Sequence, residues 1–266
     1  MLLRSRHVAP ASCRRMSTNA HSRIQRVQES FFKPVDRVVI NVPATTANLG
    51  PGFDSFGFAL DVWNRLIVER ADKYSMTITG EGADRLDTSE NNMVVQMTYR
   101  ALKSLGISDI PPLRFQCMNA VPPTRGMGSS SAALVAGLAA GLAFGGKDMS
   151  SQATKKLLLQ LAADAEGHAD NVAPAIYGGF QIAFKAGADT DKQQWITQRV
   201  SVPHGMQCVL FIPDDEMSTT EARACLPDAL PYKDAVFNIS RAAMLVNCFA
   251  TGQVCACARA CARACA

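Results

Sequence analysis

Four stretches of the chain bring together side chains that can hold a phosphate or a small polar molecule. The first is Val121–Gly141, VPPTRGMGSSSAALVAGLAAG. Pro122, Pro123, Gly126 and Gly128 keep its first half out of regular structure, and Ser129, Ser130 and Ser131 open a helix. Glycine lets backbone approach an anion closely. The unpaired N–H groups and the positive dipole end of a helix start attract phosphate. Serine hydroxyls add donors and can hold Mg²⁺. The Walker pattern GxxxxGK[ST] is absent, since the loop has no lysine. A serine-capped helix behind a glycine turn would carry the same residues, so this stretch alone leaves a nucleotide loop and a plain turn both open.

The other three stretches are polar. NVPATTANLGPGFDSFGFALD contains Asn48 and Asp54, an amide and a carboxylate able to hold an amino alcohol; Asn and Asp also cap turns. DAEGHADNVAPAIYGG gathers Asp164, Glu166, His168, Asp170 and Asn171. That cluster suits a cation or a polar substrate, and its carboxylates fit Mg²⁺ better than a transition metal. In MSTTEAR, Ser218 or Thr219 caps a helix and Arg223 follows Thr219 by one turn. A hydroxyl beside a guanidinium can bind a carboxylate or a phosphate, although a capped helix with a surface arginine looks the same.

These stretches need a scaffold. Strands are expected over 36–42, 65–70, 75–79, 113–121, 179–184 and 207–213 from β-branched runs and alternation. Helices are expected over 92–105, 129–144, 151–165, 219–224 and 234–250 from apolar spacing and caps. The mixture lacks strict alternation, which predicts an α+β fold. The polar segment 187–198 reads as a domain boundary.

Composition sets outer limits. With 48% hydrophobic and 19% charged residues and a net charge of +4, the chain can bury a core, and nothing points to nucleic acid or membrane partners. Arg4, Arg6, Arg14, Arg15, Arg23 and Arg26 precede the first acid, Glu29. Such a leader fits an organelle transit peptide, a disordered extension or sequence upstream of a start at Met16. A cytoplasmic location is the default, with a mitochondrion or plastid as the alternative. Of nine cysteines, Cys255, Cys257, Cys261 and Cys265 lie in the final run VCACARACARACA, and the rest show no metal-ligand or disulfide spacing. The strict alternation of Val or Ala with Cys or Arg in that run fits translation of a simple nucleotide repeat.

All four stretches, in this order, resemble the GHMP kinase superfamily, and specifically its homoserine kinases. PATTANLGPGFDSFGFAL is similar to the first motif and PPTRGMGSSSAA to the ATP loop. EGHADNVAPAIYGG and MSTTEAR resemble segments particular to homoserine kinases, and NISRAAMLVNCFATGQ resembles a helix of the second domain. The resemblance implies a ribosomal-protein-S5-domain-2-like N-terminal domain over 36–190. A ferredoxin-like C-terminal domain over 199–253 would be incomplete, between a leader over 1–35 and a repeat tail over 254–266.

It also implies ATP and Mg²⁺ as cofactors, L-homoserine as the second substrate and compatibility with a homodimer. Pro123, Thr124, Arg125, Gly126, Met127, Gly128, Ser129, Ser130, Ser131, Ala132 and Ala133 would cradle ATP. Ser129 and Glu166 would hold Mg²⁺, with Asp164 as another candidate acid and Gln160 at a position where some relatives place the glutamate. Asn48, Asp54, His168, Asp170 and Arg223 would bind homoserine, and Asp54, Thr219 and Arg223 would take part in catalysis. The alternatives are a kinase for another small hydroxylated metabolite, or a nucleotide-binding fragment without turnover.

Overall fold

A computed structural model describes residues 35–187, 193–212 and 219–253. The arginine-rich leader, Ser218 and the alternating tail lie outside the described residues.

Six strands form one sheet around a central, unusually long member: β1 (Arg37–Ala47), β2 (Phe56–Arg70), β3 (Ser75–Gly80), β4 (Leu113–Asn119), β5 (Phe180–Ala186) and β6 (Gln194–Val200). Antiparallel β1 runs along one edge of β2, while β4 pairs with Arg65–Arg70 and β5 with Phe56–Phe58 on the other. β3 joins β4 in parallel and β6 joins β5 antiparallel. The register of β1 on β2 shifts between Pro43 and Thr45. Proline cannot donate to a ladder, and such bulges re-aim side chains.

Helices α1 (Met93–Ser104), α2 (Ser129–Phe144) and α3 (Gln152–Glu166) share one core with the sheet, including Val68, Leu113, Phe115, Leu138 and Leu142. α2 is buried on nearly every side, as its Ala, Leu and Gly sequence implies. A Cβ on Gly137 would lie 2.4 Å from Val94 O, and one on Gly141 2.3 Å from Thr98 O. The small residues therefore let α1 press directly on α2. Short α4 (Val172–Tyr177) follows the His168 region, and α5 (Thr219–Ala224) and α6 (Tyr232–Thr251) come last. Phe249 of α6 meets Phe180 with ring centroids 4.8 Å apart, beside buried Phe56, Val200 and Leu245.

The mixed α+β architecture and all five expected helices are present. Three local expectations differ. Segment 187–198, read as a boundary, contains most of β6; its polar alternation around buried Trp195 and Val200 is that of a strand with one wet face. Residues 172–177, outside every expected helix, form α4. Residues 207–212 form no strand: Val209 and Phe211 are 92% and 94% exposed, and alternation makes a strand only where a neighbour supplies hydrogen bonds.

Gly141→Ala tests the α1–α2 contact. Alanine gains ~1 kcal/mol of helix propensity, while overpacking against backbone costs ~1–3 kcal/mol or more. A net loss of about 1–2 kcal/mol is expected in urea unfolding; a stabilised variant would contradict the packing.

Candidate active site

Most of the first polar stretch lies in β1 and β2, and only residues 48–55 between them form a loop. Asn48 and Asp54 both have left-handed backbone, with φ of 58° and 52°. Non-glycine residues rarely adopt this conformation, Asn and Asp most readily, and such strain of ~1–3 kcal/mol gathers at functional sites. The loop is closed from within: Asn48 N–H donates to Phe56 O at 2.9 Å, and Asp54 N–H donates to Asn48 Oδ1 at 2.8 Å. From outside, Asn238 of α6 donates to Pro51 O at 3.0 Å. The Asn48 carbonyl is thus committed to aiming Asp54.

Arg223 of α5 reaches that carboxylate with both ends of its guanidinium. Nη1 donates to Oδ2 at 3.0 Å, and Nη2 donates to Oδ1. The guanidinium also stands 5.3 Å from the Phe53 ring centroid. The bond to Asp54 raises the Arg223 pKa further, so the cation is permanent. The side chains are 37% and 35% exposed, and ion pairs near water contribute only about 0–1 kcal/mol. The fork is well shaped but cheap to open. Thr219 begins the same helix.

His168 Nδ1 lies 2.6 Å from Asp170 Oδ1, which also accepts the Asn171 N–H at 2.8 Å. Asp170 is 1% exposed, and its Oδ2 is buried with no partner among the described residues. An orphaned buried acceptor is costly, and a substrate donor would satisfy it. The hydrogen bond to Asp170 raises the His168 pKa against the opposing effect of burial. Ligand atoms of Asp54, His168 and Asp170 lie within 4.8 Å of one another. The structure therefore brings Asp54, His168, Asp170 and Arg223 to one place.

The phosphate-type loop borders the same region. Thr124 has φ 59°, and Gly128 stands at the start of α2 with φ 66°. A cavity of about 350 Å³ opens beside it, lined by Thr124, Ser129, Ser130, Asn92, Met93 and Cys117 among others. Asn64, a polar residue inside β2, accepts N–H bonds from Ala120 and Val121 at 2.9 Å each and so fixes the loop's approach. Sequence reasoning missed it, because β2 also carries Asp61, Arg65, Glu69 and Arg70 and one more polar residue gave no signal.

Three candidates on α3 separate by their partners. Gln160 bonds both the N–H and the C=O of Trp195 at 2.8 Å. Asp164 accepts the Trp195 indole N–H at 2.8 Å. Both are occupied with β6. Glu166 instead accepts a 2.8 Å hydrogen bond from Ser131 Oγ. The serine next to this acid is thus Ser131, whereas Ser129 lines the cavity. A hydroxyl beside a carboxylate is a hard oxygen donor set, which fits Mg²⁺.

Residues 92–179 match the family model of the GHMP kinase N-terminal domain. A homoserine kinase of a Synechococcus species is 39% identical over 220 residues, covering 81% of this chain and 67% of that protein. One from Desulfitobacterium hafniense is 39% identical over 209 residues, covering 79% and 67%. The chain belongs to the homoserine kinase family. The crystal structure of homoserine kinase from Cytophaga hutchinsonii aligns with a TM-score of 0.67 at 27% identity, over 86% of this chain and 72% of that one. Among the described residues, no helix of this family member is long and apolar enough to cross a membrane.

The His168–Asp170 contact predicts a pH dependence. A raised histidine pKa stabilises the fold fully below the unfolded value of about 6.5, and the contribution fades as pH climbs through the higher folded value. His168→Gln should therefore lose most stability, relative to the parent, below about pH 6.5 and progressively less above it. Urea midpoints over a pH series measure this; a pH-independent difference would exclude it.

Proposed function

We propose that this chain transfers the γ-phosphoryl group of ATP to the side-chain hydroxyl of L-homoserine, yielding O-phospho-L-homoserine and ADP on the way to threonine, in the cytoplasm. This reading rests on the convergence of a permanent cation, Arg223, with Asp54 and the orphaned Asp170 oxygen, beside a glycine-serine loop at a helix start. A zwitterionic amino alcohol presents one anionic group and two proton-bearing groups, matching one guanidinium and two carboxylates.

The site's charges neutralise each other, since Arg223 holds Asp54. Homoserine exchanges that pair for two new ones: its carboxylate takes Arg223, and its ammonium or hydroxyl takes Asp54. Asp170 Oδ2 receives the remaining donor. Opening a half-exposed pair costs only about 0–1 kcal/mol, against charge-assisted bonds of ~1.5–3 kcal/mol each. Thr219 begins the helix carrying Arg223 and helps position the substrate, and His168 steadies Asp170.

On the nucleotide side, the 350 Å³ cavity takes the nucleoside. Residues 123–133 present N–H groups and hydroxyls to the phosphates. Phosphoryl transfer depends mainly on positioning and charge neutralisation, so the absent Walker lysine is no obstacle. Glu166 holds Mg²⁺, with Ser131 beside it and Ser129 toward the phosphates. When bound, the ion draws charge from the transferring group.

The deciding experiment measures ADP release. L-homoserine should stimulate it, and alcohols lacking either the amino or the carboxylate group should not; absence of stimulation by L-homoserine would reject the proposal. Arg223→Ala should raise the KM for homoserine about 100-fold, the loss of ~3 kcal/mol of charge-assisted bonding, and leave the KM for ATP near the parent value. Glu166→Gln should raise the Mg²⁺ concentration for half-maximal turnover several-fold. An unchanged Mg²⁺ titration would remove Glu166 from the ion.

A further inference from the structure

Thr45 is 1% exposed, the polar member of the buried run Val42–Thr45 in β1. Its hydroxyl donates to Asn171 Oδ1 at 2.8 Å. Its backbone N–H donates to Met127 O at 3.1 Å. A Cβ built on Gly128 would stand 2.0 Å from Thr45 Oγ1 and 3.1 Å from Asn171 Oδ1. Three segments distant in sequence thus meet at one hydroxyl: the end of β1, the hinge between phosphate-type loop and α2, and the residue before α4. The register shift beginning at Pro43 is what turns Thr45 toward them.

We infer that Thr45 is a positioning residue, which locks the Asn171 amide with its oxygen inward and its NH₂ toward the reacting groups, and couples that amide to the phosphate loop. Asn171 Nδ2 meets no acceptor among the described residues, while its N–H is already fixed on Asp170 Oδ1. Which way an asparagine amide faces is set by its hydrogen-bond network, and only Oδ1 can accept the threonine proton. The remaining NH₂ is a double donor, suited to an oxygen acceptor such as the substrate hydroxyl or a phosphoryl oxygen. Gly128 has no side chain to separate the hydroxyl from the loop, so displacement of Thr45 moves Asn171 and the loop together. The inference builds on the phosphotransfer reading above.

Two pairs of variants isolate the hydroxyl. Thr45→Val keeps the shape and removes the donor, and Thr45→Ser compared with Thr45→Ala differs by the hydroxyl alone. Thr45→Val and Thr45→Ala should lower kcat about 10- to 100-fold, the range expected for small misplacement of reacting groups, with the KM for ATP changed less than threefold. Thr45→Ser should recover to within about threefold of the parent. In a cycle with Asn171→Ala, the Thr45→Val effect should vanish, because no amide remains to orient.

The ¹⁵N-labelled side-chain amide of Asn171 supplies a readout independent of turnover: its resonances should shift and broaden in Thr45→Val and return in Thr45→Ser. Turnover of Thr45→Val within twofold of the parent, equal impairment of the Ser and Ala variants, or an unmoved amide signal would overturn the role. If the parent chain forms no ADP with L-homoserine, the phosphotransfer reading fails, and the amide spectra alone decide on Thr45.

Discussion

The forked contact of Arg223 with Asp54 joins residues 169 positions apart, and the rest of the site depends on it. Asp54 is held on a strained turn that Asn48 closes from within. Arg223 sits in the last turn of α5, and α6 grips the loop that carries Asp54 through Asn238 and Pro51. At the turn itself the two segments are held by charge and a bond to backbone, while the apolar cluster of Phe56, Phe180, Leu245 and Phe249 lies beside it. Such a join is specific in direction because the guanidinium presents two parallel donors. It is weak in energy because water reaches both partners. That combination suits a place where a charged ligand must displace an internal bond.

Beneath this adjustable contact lies a rigid one. α2 is buried on nearly all sides, and Gly137 and Gly141 bring it against the backbone of α1. A close-packed helix cannot shift without disturbing its neighbours, so the loop that opens it has a fixed anchor. Asn64 and Thr45 then tie the loop to the sheet from its two ends. The anion-attracting N–H groups are thereby preorganised, which is what electrostatic stabilisation of a transferring phosphoryl group requires on the proposed reading.

The parts legible in the sequence were those with local signatures. The helix at Ser129–Phe144 followed from a glycine before serines and a long apolar run, and Thr219–Ala224 from its cap. The candidate residues Asp54, His168, Asp170 and Arg223 stood out because small polar residues clustered around them. What was hidden depends on contacts between distant segments. β6 looks polar because only one of its faces is covered, and 207–212 alternates like a strand but has no neighbour to pair with. Ser131, rather than Ser129, meets Glu166 because α2 and α3 cross with that side of the helix start facing the acid. Neither Thr45 nor Asn64 could be separated from ordinary polar residues without knowing which backbone groups they meet.

Charge in the site is distributed in a way that accounts for a phosphate loop without lysine. A lysine in the loop would place a mobile cation among the phosphates and near Asp54 and Asp170, where it would compete for the carboxylates that the amino acid needs. Backbone N–H groups and hydroxyls attract phosphate without that competition, since they cannot leave their positions to pair with an acid. Arg223, the guanidinium that meets the cluster's carboxylates, is paired with Asp54, and on the proposed reading it serves the amino-acid side. Glu166 meets the helix start through Ser131, and on the proposed reading an oxygen-seeking divalent ion would offset both it and the phosphates. On the proposed reading the nucleotide would be bound mainly by partial charges, with Arg125 of the loop and a divalent ion beside them, and the amino acid by whole ionic groups. Each ligand can then bind without drawing on the groups that hold its partner.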